Sequence, residues 1–110
     1  MVILSFFLLF LAYCSAKTVQ YEFDFANTIA KNDLWTEALI RWEKLKPKMK
    51  NSAKLHNNLA IGYEQLGEFD KAKTEYKIAM ELAPKNNYIK NNYDHFIKAK
   101  KDKKNEKNNK

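Results

Sequence analysis

The stretch NNLAIGYEQLGEFDKAKTEY, residues 57–76, contains both glycines of the chain and alternates small with bulky side chains. Its apolar residues recur at helical spacing on either side of Gly67, which predicts two helices joined by a tight turn. Glycine suits the end of a helix because the left-handed backbone conformation costs it little. Small side chains let the two helices approach closely. The stretch therefore predicts a helical hairpin from about Ala53 to Leu82.

The chain matches itself when it is shifted by 34 residues, with no gap over the aligned stretch. Residues of the same character recur at the same spacing, so we expect the hairpin to be one of two related units. The aligned pairs are Phe25 with Leu59, Ala26 with Ala60, Ile29 with Tyr63, Asp33 with Gly67, Trp35 with Phe69, Ala38 with Ala72 and Trp42 with Tyr76.

The second unit, residues 53–86, resembles the tetratricopeptide repeat (TPR), a family whose 34-residue unit is a helix–turn–helix. His56 departs from the family pattern, which usually has Trp or another large residue at that position. The residues that carry the resemblance, and that we expect to pack the hairpin, are Leu59, Ala60, Tyr63, Gly67, Phe69, Ala72, Tyr76, Ala79 and Pro84.

The first unit, residues 19–52, is degenerate, since Asp33 replaces the turn glycine. Residues 21–25 alternate like a strand, but the aligned residues keep helical spacing, so a helix is favoured. Apolar residues at helical spacing predict a capping helix over residues 87–99, followed by a disordered Lys/Asn-rich tail over residues 100–110. The expected fold is all-α: a short right-handed TPR-like solenoid of two helix–turn–helix units and a C-terminal capping helix.

Residues 1–16 are expected to be a signal peptide. The apolar run over residues 2–12 is shorter than the ~20 residues that span a bilayer as a helix. Cys14 follows Leu11 as in a bacterial lipoprotein signal, where the cysteine becomes the lipidated first residue. The alternatives are cleavage after Ala16 and retention as an anchor. All three place the domain in the bacterial periplasm or tethered to a membrane of the cell envelope.

The net charge of +7 is concentrated at the C-terminus, since residues 98–110 carry seven lysines and two acidic residues. The remainder of the chain is nearly neutral. Arg41 is the only arginine, whereas proteins that read nucleic-acid sequence rely on arginine for bidentate contacts to bases. A nucleic-acid partner is therefore not favoured.

The titratable residues do not suggest an enzyme. His56, His95 and Cys14 lie far apart in the repeat, whereas catalysis requires such groups to converge in a pocket. Two histidines without cysteine or carboxylate partners at ligand spacing do not predict a metal site. We expect no catalytic activity, no metal and no cofactor.

In the TPR family the first helices of successive units line a concave groove that binds extended peptides or partner helices. The resemblance implies a non-catalytic protein–protein interaction module, an adaptor or scaffold whose partner is a protein or peptide. Some members clamp a C-terminal carboxylate, but Phe23, Tyr88 and Asn92 replace the basic residues of that clamp here. The residues that the resemblance places in the groove include Phe23, Asn27, Lys54, Asn57, Asn58, Ile61, Asn91 and His95.

Two alternatives belong to other classes of function. The basic C-terminal tail would bind an anionic surface or a nucleic acid, and such binding would weaken steeply with salt. Alternatively, the chain would be a structural subunit that completes its helical stack by self-association.

Overall fold

The computed structural model describes residues 1–109, which form five α-helices and no strand. The prediction of an all-α fold is confirmed for this part of the chain. The chain forms two compact units, residues 1–50 and residues 51 onward. The helices are α1 (Val2–Lys31), α2 (Trp35–Leu45), α3 (Ala53–Gln65), α4 (Phe69–Leu82) and α5 (Asn87–Asn108).

The first unit is a hairpin of α1 and α2. Ala26 and Ala38 are fully buried, and Trp42 is 2% exposed. The indole N–H of Trp42 donates a hydrogen bond to Asn27 Oδ1 at 3.0 Å, which joins the two helices. The guanidinium of Arg41 lies 4.8 Å from the centre of the Phe25 ring. Small residues thus allow α1 and α2 to approach while Trp42 fills the space beside them.

The second unit is a hairpin of α3 and α4 against which α5 packs. Its core contains the small residues Ala60 and Ala72 beside the rings of Tyr76 and Phe96. The ring centres of Tyr76 and Phe96 are 5.4 Å apart, and Tyr93 meets Tyr76 edge-on at 5.9 Å. These distances are those of favourable aromatic pairs. The aromatic residues of α5 therefore cover the apolar face that α4 would otherwise expose.

The turns of the two hairpins have the same backbone geometry. Asp33 and Gly67, which are 34 residues apart, both have positive φ angles, 62° and 76°. The N–H of Leu34 donates to the Ile29 carbonyl, and the N–H that follows Gly67 donates to the Tyr63 carbonyl. Both are the six-residue hydrogen bonds that end a helix in a Schellman motif. Asp33 therefore performs the turn role of a glycine, in a conformation that aspartate tolerates better than most residues.

Burial repeats at the same spacing, with one exception. The aligned alanines of both units are fully buried, and Trp42 and Tyr76 are 2% and 1% exposed. Phe25, however, is 41% exposed, whereas Leu59, its aligned partner, is fully buried. The alignment of Phe25 with Leu59 therefore does not extend to burial. Phe23, two residues earlier, is the buried ring of this helix.

The N-caps of α3 and α5 are polar side chains that accept backbone hydrogen bonds. Ser52 Oγ accepts from the N–H of Leu55, and Asn86 Oδ1 accepts from those of Tyr88 and Ile89. Such caps satisfy donors that the first turn of a helix leaves without a partner. The starts of α3 and α5 thus follow from local sequence.

The two ends of the chain differ from the sequence expectation. Helix α1 runs from Val2 to Lys31 without a break, so no change in backbone marks a boundary near residue 16. Helix α5 extends to Asn108. The prediction of disorder from residue 100 is therefore wrong for residues 100–108, and Lys110 lies outside the described residues.

Candidate functional site

Two of the residues expected in the groove lie in the core instead. Phe23 and Asn57, which are 34 residues apart in the repeat, are each 2% exposed. Buried side chains do not contact a ligand without a rearrangement of the packing around them. The expectation that Phe23 is an exposed apolar anchor is wrong, and so is the placement of Asn57 on the binding surface.

Asparagines expected to bind a peptide are engaged in contacts within their own units. Asn57 Oδ1 accepts a hydrogen bond from Asn92 Nδ2 at 3.1 Å, which joins α3 to α5. Asn27 Oδ1 accepts from the Trp42 indole, as described above. Buried amides need such partners because an unpaired polar group costs about 1–3 kcal/mol. These two asparagines therefore stabilise helix packing.

Asn27 is half-buried and bonded to Trp42, and five further groove residues are accessible, all of them in the second unit. Lys54, Asn91 and His95 are exposed, and Asn58 and Ile61 are half-buried. Lys54, Asn58 and Ile61 lie along one face of α3. Asn91 and His95 are one turn apart on α5. The bond between Asn57 and Asn92 ties the two helices at this level. We call this set, Lys54, Asn58, Ile61, Asn91 and His95, the α3–α5 surface.

A buried polar pair that the sequence analysis missed crosses the interface between α3 and α4. His56 Nδ1 lies 2.5 Å from Glu75 Oε2, and the two residues are each 4% exposed. The sequence pattern could have indicated this pair, because His56 and Glu75 each lie on the face of their helix that carries buried alanines. This buried contact gives His56 a structural role within the hairpin.

A second polar contact orients the central tyrosine of the core. The hydroxyl of Tyr76 donates a hydrogen bond to Glu64 Oε2 at 2.9 Å. Burial, together with this bond to a carboxylate, raises the pKa of the Tyr76 phenol above its ordinary value. The phenol thus stays protonated and continues to donate at neutral pH.

The titratable groups do not form a metal site in the described residues, where no cluster of three or more His, Cys, Asp or Glu side chains is arranged to hold an ion. His95 is exposed on α5, and Cys14 is exposed on α1. The α3–α5 surface therefore offers hydrogen bonds, one ammonium group and one aliphatic side chain, which are the means of non-covalent recognition.

The N-terminal part of α1 is exposed along its length. Helix α1 is long and apolar enough to cross a membrane, with a mean hydropathy of 2.0 over 18 residues, none of them buried. The apolar run over residues 2–12, on which the sequence prediction was based, is shorter than this 18-residue window. An N-terminal signal sequence meets the same criteria as a membrane span.

Comparison with known proteins assigns the folded region to a family. No curated protein matches the sequence. The family model described as "Domain of unknown function (DUF6340)" matches residues 24–109. The match begins within α1, after its apolar N-terminal part, and includes both hairpins and α5. The chain therefore belongs to the DUF6340 family.

Proposed function

We propose that this chain is a non-catalytic protein-binding module that holds a peptide or helix of a partner protein on the α3–α5 surface. The observation that carries the proposal is that Asn91 and His95 on α5 are exposed and that Asn58 and Ile61 on α3 are half-buried. Helices α3 and α5 are joined by the Asn57–Asn92 hydrogen bond, and both pack against α4, so the surface is presented rigidly. A rigid surface loses little conformational entropy on binding.

The chemistry of this surface matches a polypeptide. The side-chain amide of Asn91 offers a donor and an acceptor, as a peptide backbone does. The aliphatic side chain of Ile61 is available for one apolar contact, and Lys54 adds a positive charge. A few such residues supply most of the affinity of an interface.

The finer architecture in this proposal is a TPR-like solenoid, in which the two hairpins are successive repeats and α5 caps them. Three observations support it: the 34-residue self-match, the positive φ angles at Asp33 and Gly67, and the repeated burial of the alanines. In such a stack the α3–α5 surface belongs to the concave side.

The function is tested with the full chain in a nonionic detergent. A photo-crosslinking residue is placed at Asn91, and the chain is incubated with envelope proteins of its source organism. We expect a discrete adduct from position 91 and none from Lys77, which is exposed on α4. The Asn58→Ala, His95→Ala double variant should bind the captured protein at least tenfold more weakly, since hot spots contribute about 1 kcal/mol or more each.

The matched control is the Thr36→Ala, Lys77→Ala double variant, which changes two exposed residues outside this surface. It should bind like the unaltered chain. Equal adducts from positions 91 and 77, or equal affinity of the two double variants, would contradict the proposal.

We further propose that the N-terminal segment exports the chain to the bacterial envelope and that Cys14 carries the lipid that tethers it. The support is the exposed apolar surface of residues 1–18 and the start of the family match at residue 24, after this segment. Cys14 follows Leu11 at the spacing of a lipoprotein signal and is exposed.

Metabolic labelling with a clickable fatty acid tests the tether. We expect label on the unaltered chain and none on Cys14→Ser, because the thiol is the site of acylation. The labelled protein should begin at Cys14. An unlabelled protein that begins at Lys17 would identify a simple secreted domain, and an unlabelled intact chain in the membrane would identify an uncleaved anchor.

A further inference from the structure

The C-terminal part of α5 extends past the start of α4 and carries a row of lysines. Lys100, Lys103, Lys104 and Lys107 are spaced along one helix face, and that face continues the one that Phe96 occupies in the core. Upstream, this face is apolar and packs on α4. Downstream it is basic, and the residues from 100 to 109 are exposed.

The lysine row forms one side of an open groove in the second unit. The groove has a volume of about 790 Å³. We call it the lysine groove. Phe69, which is half-buried, Phe96 and Ala99 form its apolar part, and the end of α3 contributes Glu64 and Gln65. The remaining lining residues are Lys100, Lys103, Lys104, Glu106 and Lys107.

Two contacts show how the lysines lie over this apolar part. Lys103 Nζ is 5.3 Å from the centre of the Phe69 ring, and Lys100 Nζ is 3.6 Å from Asp70 Oδ1. Asp70 is fully exposed, so this ion pair contributes little. The ammonium groups therefore stay available to an incoming anion.

The helical extension belongs to the family domain, because the DUF6340 match continues to residue 109. The lysine row thus lies within the matched residues, as does the packed part of α5.

We propose that the lysine groove binds an acidic segment of a partner protein, with one large apolar side chain of that segment placed against Phe69. Four lysines against Glu64 and Glu106 leave the lining positively charged. From Phe96 to Lys107 the helix rises about 16 Å, the length of roughly five extended residues. This surface is distinct from the α3–α5 surface and does not depend on it.

The groove favours a peptide over a flat anionic surface or a nucleic acid. Its apolar part is recessed, since Phe96 is 2% exposed, and Glu64 and Glu106 would repel a uniformly negative surface. A narrow segment places its carboxylates on the lysines and avoids the two glutamates. The lining contains no arginine, which is the residue that recognises bases and phosphates bidentately.

Selection from a displayed library of random twelve-residue peptides tests the proposal on the full chain in nonionic detergent. We expect the selected peptides to carry two or more Asp or Glu residues next to Leu, Met, Phe or Trp. One selected peptide is then synthesised with a fluorophore, and its affinity is measured by anisotropy. Replacing its large apolar residue by Ser should weaken binding at least tenfold.

Two charge-matched variants locate the site. Replacing Lys100, Lys103, Lys104 and Lys107 by Gln should weaken binding at least thirtyfold and reduce its salt dependence. The control replaces Lys85, Lys90, Lys98 and Lys101, four exposed lysines outside the groove, by Gln and should lose less than threefold. Gln and Lys have similar helix propensities, so equal helicity by circular dichroism checks that both variants fold.

Three results would overturn the proposal. The first is a library that yields no acidic–apolar peptides. The second is an equal loss of affinity in the two lysine variants, which would indicate a diffuse charge effect. The third is binding to phosphatidylglycerol vesicles that only the groove variant loses, without peptide binding, which would assign the lysines to a lipid surface.

Discussion

Phe23→Ala is expected to lower the free energy of unfolding by about 3–5 kcal/mol, the usual cost of removing a buried phenyl ring. Phe23 is 2% exposed, so its truncation leaves a cavity that the backbone cannot fill. Phe25 is the matched control, since it is the same residue type on the same helix but 41% exposed. Phe25→Ala should cost about 1 kcal/mol, mainly through its contact with Arg41.

Urea unfolding of the full chain in nonionic detergent, followed by circular dichroism, measures both variants. If Phe23→Ala is unfolded without urea, Phe23→Leu supplies a graded value of about 1 kcal/mol. Equal unfolding midpoints for Phe23→Ala and Phe25→Ala would contradict the assignment of Phe23 to the core. Phe23 would then be available to a ligand, as the sequence resemblance implied.

This pair of phenylalanines illustrates where sequence reasoning succeeded and failed. The 34-residue match located the helices, the turn at Gly67 and the buried alanines, because these depend on local spacing and side-chain size. Phe23 and Phe25 differ by about 200° around a helix, and only tertiary packing selects between them. In the first unit Leu39 is buried where the second has Lys73, so the two cores are filled differently.

The helical end of α5 was missed for a different reason. The predicted boundary at Ala99 followed the last apolar residue, which marks the end of packing rather than the end of the helix. Residues 100–108 contain no glycine or proline and are rich in lysine, which has good helix propensity. A helix already nucleated by its packed part extends at little cost. The lysine groove could not be predicted without that extension, because its lysines lie on one face only when residues 100–108 are helical.

The candidate site could be predicted only in part. The resemblance supplied eight groove residues, of which Phe23 and Asn57 are buried and Asn27 bonds to Trp42. A family pattern gives the position of a residue in the repeat, but the packing of this chain decides whether its side chain is accessible. The TPR resemblance places Asn92 where some TPR proteins have a basic residue of a carboxylate clamp, and here its side chain ties α5 to α3.

Glu75→Ala is expected to destabilise the domain by about 3 kcal/mol, because it removes one member of a buried polar pair. His56 Nδ1 and Glu75 Oε2 are 2.5 Å apart, and each side chain is about 95% buried. The His56 imidazole would lose this partner in an environment that water does not reach. Glu68→Ala is the control, since the Glu68–Lys71 pair is exposed and should contribute less than ~1 kcal/mol.

The double variant His56→Leu, Glu75→Leu separates the cost of an unpaired group from the net contribution of the pair. The double variant replaces both members of the pair, so neither is left buried without the other, and it should lie within about 1–2 kcal/mol of the unaltered chain. Its stability should thus exceed that of Glu75→Leu alone, and urea unfolding of His56→Leu, Glu75→Leu and the double variant measures the coupling. Additive losses from His56→Leu and Glu75→Leu would contradict a coupled pair. Retained peptide binding in the folded double variant would show that the pair stabilises the hairpin and takes no part in recognition.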